Sequence, residues 1–134
     1  MVISFTIPGP PQGKARARTT YHGTYTPEKT VLYENLIKLM YQQQTDYMSE
    51  KPLEVFIMAC YEPPKSTSKK MREQMLSRAM HPTKKPDIDN IAKVVLDALN
   101  GVAYKDDTQV VQLTMSKVYS SMARVDVKIR EVGD

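Results

Sequence analysis

A chain of 134 residues has room for one modest hydrophobic core, and a net charge of +4, from 19 basic and 15 acidic residues, makes it only mildly basic. With 41% hydrophobic and 25% charged residues the composition is that of a globular protein, not of a disordered one. Its apolar runs, such as Val55 to Cys60, fall far short of the roughly 20 residues that cross a bilayer, so no membrane partner is expected. Met1-Val2-Ile3-Ser4 has no basic region leading into a long apolar stretch, so no signal peptide is expected. One cysteine, Cys60, excludes an intrachain disulfide and points to a reducing, cytoplasmic location.

Residues 2–7 predict a strand with Val2, Phe5 and Ile7 as core contacts, stopped by Pro8-Gly9-Pro10-Pro11. Residues 12–25 read as a loop that displays Lys14, Arg16 and Arg18. Thr26 before Pro27 predicts a helix start, with Thr26 as cap and Pro27 in the first turn. Val31, Leu32, Tyr33, Leu36, Ile37 and Met40 carry that helix to about Gln44. Leu53 to Glu62 reads as a buried strand. Ser66-Thr67-Ser68 offers caps for a basic, peripheral helix over 69–79, anchored by Met71, Met75 and Leu76. A second apolar helix is expected over Ile91–Leu99, closed by Asn100-Gly101. Strands follow at about 109–118 and 122–131; in the latter, Val125, Val127 and Ile129 alternate with Asp126, Lys128 and Arg130. The order strand, helix, strand, helix, helix, strand, strand defines a single α+β (mixed α/β) domain over 1–134, with helices packed on a small sheet.

Charge is unevenly spread. No acid precedes Glu28, and between Lys65 and Lys85 seven lysines and arginines face a single acid, Glu73. Such runs form either a solvated face or arms that hold phosphates. Between them and the next helix lies Pro86-Asp87-Ile88-Asp89-Asn90. In an extended segment the side chains of Asp87 and Asp89 leave from the same side, and two adjacent carboxylates repel unless a proton or cation intervenes. Mg²⁺, an oxygen-seeking ion usually completed by water and phosphate, suits that arrangement. An isolated D-x-D is more often a helix cap or turn, and both roles are open to Asp89. Lys93 lies four residues after Asp89, on the same helix face, either as a plain ion pair or beside the reacting phosphate. Asp106-Asp107 follows the helix, and the return to the next strand is expected to bring one of these carboxylates back beside the helix start; spacing alone does not choose between them.

The stretch from Lys85 to Val111, KPDIDNIAKVVLDALNGVAYKDDTQVV, resembles the core signature of the RusA Holliday-junction resolvase family: an aspartate pair, an asparagine and a lysine, an LDALNG-like helix end and a DD-x-QV strand entry. The opening IPGPPQGKAR is also similar to the family's N-terminus. The resemblance implies a metal-dependent endodeoxyribonuclease with Asp87, Asp89 and Asp107 as metal ligands and Lys93 as catalytic lysine. Mg²⁺ is the expected ion, with Mn²⁺ as a substitute and no organic cofactor. The expected substrate is branched DNA, a four-way junction, with Lys14, Arg16, Arg18, Lys69, Lys70, Lys84 and Lys85 holding flanking phosphates in recombination and repair. Two strands must be cut, so a symmetric homodimer is expected, with the first helix or the late strands as interface. Compact members of the family are often phage-associated. The rival reading, a branched-DNA-binding protein without catalysis, leaves three carboxylates repelling its ligand.

Overall fold

Strands that alternate apolar and polar side chains can hide one face only against something else, and here two helices supply it. The computed structural model describes residues 1–133; Asp134, the last residue of the expected domain, lies outside the described residues. In chain order the elements are β1 (Val2–Pro8), β2 (Arg18–Thr20), β3 (Gly23–Tyr25), α1 (Glu28–Gln42), β4 (Leu53–Tyr61), α2 (Lys69–Leu76), α3 (Ile88–Ala98), a 3-10 turn (Asp107–Gln109), β5 (Val110–Tyr119) and β6 (Arg124–Glu131). The architecture is the expected α+β one. The addition is the β2–β3 hairpin, each strand three residues long, in the stretch read as loop.

The main sheet runs β1-β6-β4-β5. β6 is antiparallel to both β1 and β4, so Val127 lies between Phe5 and Ile57. β5 is parallel to β4, from Leu53 opposite Val110 to Tyr61 opposite Tyr119. Phe5, Ile7, Val55, Ile57, Val127 and Ile129 are buried on the face that meets the helices. From α1 come Tyr33, Ile37 and Tyr41, and from α3 come Ile91, Val94, Val95 and Ala98. Tyr41 packs edge-on against Phe5, with ring centroids 5.7 Å apart.

Several local expectations are corrected. Val2 is 58% exposed, because in β1 it shares its phase with Ser4 and Thr6 and not with Phe5 and Ile7. In α1 the buried stripe is Thr30, Tyr33, Ile37 and Tyr41, so Val31 and Leu32 fall on the solvent side. Pro27, not Thr26, occupies the cap position of α1 and makes no side-chain cap. Helix α3 begins at Ile88, three residues before the expected start, whereas α2 is capped by Ser68 as the sequence suggested.

Ile37 is fully buried where α1 meets the sheet. Ile37→Ala is expected to lower unfolding free energy by about 2–5 kcal/mol in urea titration, the range for a large-to-small core change; a loss well under 1 kcal/mol would show that this contact is not central.

Candidate active site

The earlier start of α3 changes the setting of the aspartate pair. Asp87 stands at the helix cap position in extended conformation (φ −68°, ψ 152°), yet its carboxylate makes no capping hydrogen bond. Asp89 lies inside the first turn, so the two are not neighbours along an extended segment. Both residues stand at the positive end of the helix dipole, where the first backbone N–H groups have no intrahelical acceptor. Among the described residues, neither carboxylate has a hydrogen bond or ion pair, and Lys93 forms no ion pair with Asp89. The cap and ion-pair readings are therefore not what these side chains do here. The segment is held from behind: the Tyr61 hydroxyl donates to the Pro86 carbonyl at 3.2 Å.

Asp106 and Asp107 are separated by their hydrogen bonds. The Asp106 carboxylate caps the 3-10 turn, accepting from the Thr108 hydroxyl at 2.7 Å, while Gln109 closes the reciprocal half of the capping box. Asp107 makes no such bond and is the available carboxylate of the two. It does not, however, return to the start of α3. The Gln109 amide donates to the carbonyls of Ser49 and Lys51, and Val110 pairs with Leu53, at the opposite end of β4 from Tyr61. The expected return is thus corrected: a strand that follows α3 begins where α3 ends, and 11 residues of helix put the two ends about 16 Å apart. Among the described residues no three His, Cys, Asp or Glu side chains converge to hold a metal ion.

The loop before β2 packs directly on the aspartate segment. The Lys14 backbone N–H donates to the Asn90 carbonyl at 3.0 Å. A Cβ on Gly13 would meet Asn90 Cβ at 2.9 Å and Pro86 Cβ at 3.1 Å, so this contact requires glycine. Lys14, expected to hold DNA, has its ammonium 2.9 Å from Glu34 of α1 and 3.5 Å from Asp97 of α3, and its charge is compensated within the fold. Burial alone would lower its pKa, but the hydrogen bond and charge of Glu34, joined by Asp97, hold it above the ordinary lysine value. A cleft of about 500 Å³ opens beside this contact, lined by Gln12, Arg18, Lys29, Lys85, Asp87 and Asn90 among others.

The remaining basic residues fall into groups. Arg16 and Arg18 lead into and start the exposed β2–β3 hairpin, whose tip carries a fully exposed Tyr21 against His22. Lys69 and Lys70 open the exposed α2. Lys84 and Lys85 precede the aspartate pair with only Pro86 between. Lys117 joins them: its ammonium donates to the Lys84 carbonyl at 2.6 Å and, with Lys84, lies over the Tyr61 ring at 5.3 and 5.6 Å. Sequence reasoning missed Lys117. The available signal was that it is the one charged side chain of β5, VVQLTMSKVY.

Carboxylates without partners at a helix N-terminus, a cationic cleft beside them and a neighbouring lysine form an arrangement that suits phosphate esters and a hard cation. The donors are all oxygen, which suits Mg²⁺ or Mn²⁺ and not a thiol- or imidazole-seeking ion. Asp87 and Asp89 fit such an ion as one part of a ligand set. Comparison with known proteins agrees: the family model "Endodeoxyribonuclease RusA" matches residues 8–130. The chain belongs to the RusA family of endodeoxyribonucleases, hydrolases that act on DNA phosphodiester bonds. It is also similar to the uncharacterized protein YqaN of Bacillus subtilis (strain 168), 37% identical over 138 residues, 98% of this chain and 97% of the relative.

A raised Lys14 pKa means that its ion pairs stabilise the fold fully below the ordinary lysine value of about 10.4 and fade as pH climbs through the higher native value. Lys14→Met should therefore be less stable than wild type at pH 8, with the difference shrinking above about pH 10.4 in thermal melts; a difference independent of pH would remove the ion pairs as its cause. Gly13→Ala should destabilise by about 1–3 kcal/mol through overpacking against Pro86 and Asn90, with an unchanged melting temperature as the contrary result.

Proposed function

We propose that this chain, as one domain over residues 1–134, is a divalent-metal-dependent nuclease that resolves four-way DNA junctions by paired phosphodiester hydrolysis in recombination and repair, in a bacterial or phage-infected cytoplasm. The observation that carries this reading is the pair of carboxylates without partners on the first turn of α3, beside a cleft edged by Arg18, Lys29 and Lys85. Asp87 and Asp89 would hold the ion from the first turn of α3, while Asp107, the third carboxylate expected with them, lies at the other end of that helix within one chain. Bound Mg²⁺, or Mn²⁺ in its place, supplies polarisation of the scissile phosphate and a lowered pKa for the attacking water. Lys93, one helical turn after Asp89, stabilises negative charge on the phosphoryl or leaving oxygen. Arg16, Arg18, Lys69, Lys70, Lys84, Lys85 and Lys117 hold flanking phosphates, so affinity falls steeply with salt. Lys14 is left out of this set because Glu34 and Asp97 already neutralise it. A homodimer presents one site to each of the two strands to be cut.

Cleavage of a synthetic four-way junction with Mg²⁺, with Mn²⁺ and with EDTA tests the reading. Asp87→Asn should abolish cutting, while junction binding survives or tightens because a charge that repels phosphate is gone. Normal cutting by Asp87→Asn removes the metal assignment, and wild-type binding without cutting in either ion favours a binding protein. Lys93→Ala should cut at least about 100-fold more slowly with folding intact; full activity returns Lys93 to the helix surface.

A further inference from the structure

The β2–β3 hairpin stands off the body of the fold. Every residue from Ala15 to Tyr25 is exposed, and the two strands pair only with each other, Arg18 opposite Tyr25 and Thr20 opposite Gly23. A hairpin with no packed face is marginal in water, so its turn needs support of its own. The Thr20 hydroxyl supplies it, donating to the Gly23 carbonyl at 3.1 Å and accepting from the His22 N–H at 3.2 Å. Short hairpin turns usually carry Asn, Asp or Gly. This one carries Tyr21 and His22. Tyr21 is 99% exposed, with His22 set edge-on to it and the ring centroids 5.5 Å apart.

The root of the hairpin gives that ring an occupant. Gly13 and Lys14 pack on Pro86 and Asn90 beside the aspartate pair, and Arg18 lines the same cleft as Lys85 and Asp87. No acid occurs before Glu28, while Arg16 and Arg18 are exposed and have no ion pair among the described residues. An aromatic tip on a cationic stem suits a base joined to a phosphate backbone. We propose that Tyr21 stacks on a base left unstacked at a DNA branch point, while Arg16 and Arg18 hold the adjoining phosphates. Inside a linear duplex both faces of each base are covered by its neighbours, so the ring finds a partner only where the stack is broken. Every base has a π face, so this contact selects branch shape and not sequence. The three residue steps from Arg18 to Tyr21 reach about 10 Å, or about three stacked nucleotides at about 3.4 Å each. The base taken by Tyr21 therefore lies about three nucleotides from a phosphate held at Asp87.

This rests on the branched-DNA reading but not on the metal chemistry, so it is tested in EDTA, where binding is read without cutting. Wild type should bind a synthetic four-way junction more tightly than a linear duplex of the same length. Tyr21→Ala should lose about 10-fold or more in junction affinity, the worth of one stacked base, and less on the duplex. Tyr21→Phe keeps the ring and should keep the preference. Tyr21 is fully exposed, so both variants should share the wild-type circular dichroism spectrum. Irradiation of wild type with a junction carrying 5-iodouracil at the branch point should crosslink Tyr21, found in the tryptic peptide from Thr19 to Lys29. The same base placed in the middle of an arm should not crosslink there. Equal losses on junction and duplex, or a crosslink confined to the arm, overturn the proposal. An unchanged junction preference in Tyr21→Ala with altered sedimentation shows that the tip meets protein, and overturns it too. A wild type without preference for the junction removes the branch-point role. A wild type that prefers the junction in EDTA yet fails to cut it in Mg²⁺ or Mn²⁺ sinks the nuclease reading and leaves the stacking role standing.

Discussion

The parallel pairing of β4 with β5 decides where everything else lies. Two neighbouring strands that run the same way need a crossover, and here the crossover consists of α2, the basic 77–86 stretch and α3. Because α3 must carry the chain back along the sheet, its first turn lies at the Tyr61 end and its last at the Leu53 end. Asp87 and Asp89 open the helix and Asp107 opens the strand, so the topology that builds the core also holds these acids apart.

Around the start of α3 the electrostatics are divided between compensated and uncompensated charge. Lys14 sits between Glu34 and Asp97, and its partners come from the two helices that cover the sheet. Arg124 is likewise paired with Asp126, and Lys105 with Glu50. The carboxylates of Asp87, Asp89 and Asp107 have no such partners among the described residues. Water solvates these exposed or half-exposed carboxylates, and it leaves them accessible to a cation in a way that the paired acids are not.

Much of this was legible in the amino-acid sequence, for physical reasons that can be named. Val125, Val127 and Ile129 alternate over a sheet with one dry face, and the apolar period of α3 is that of a helix packed on one side; both are local patterns. The aspartate pair, Lys93 and the Asp106-Asp107 turn were legible only as candidates, by residue type and by family resemblance. Their mutual placement was not, because the direction of β5 depends on which strand it joins, and nothing between Val110 and Tyr119 encodes a parallel neighbour. The setting of Lys14 was hidden for a similar reason: a lysine among arginines looks like a phosphate contact until two helices bring acids to it. The β2–β3 hairpin, with three exposed residues per strand, left no periodicity to find.

The position of β6 has a consequence for how the protein is made. β6 lies between β1 and β4, and it is the only strand that either β1 or the antiparallel flank of β4 can use. It also leaves the ribosome after the other three strands of this sheet. Until residues Arg124 to Glu131 emerge, β1 has nowhere to pair and the β4 flank stays open, so the sheet can close only once β6 has been made. A transcript cut short before Arg124 would yield no smaller version of the domain but a chain with two open strand edges, a substrate for chaperones and proteases.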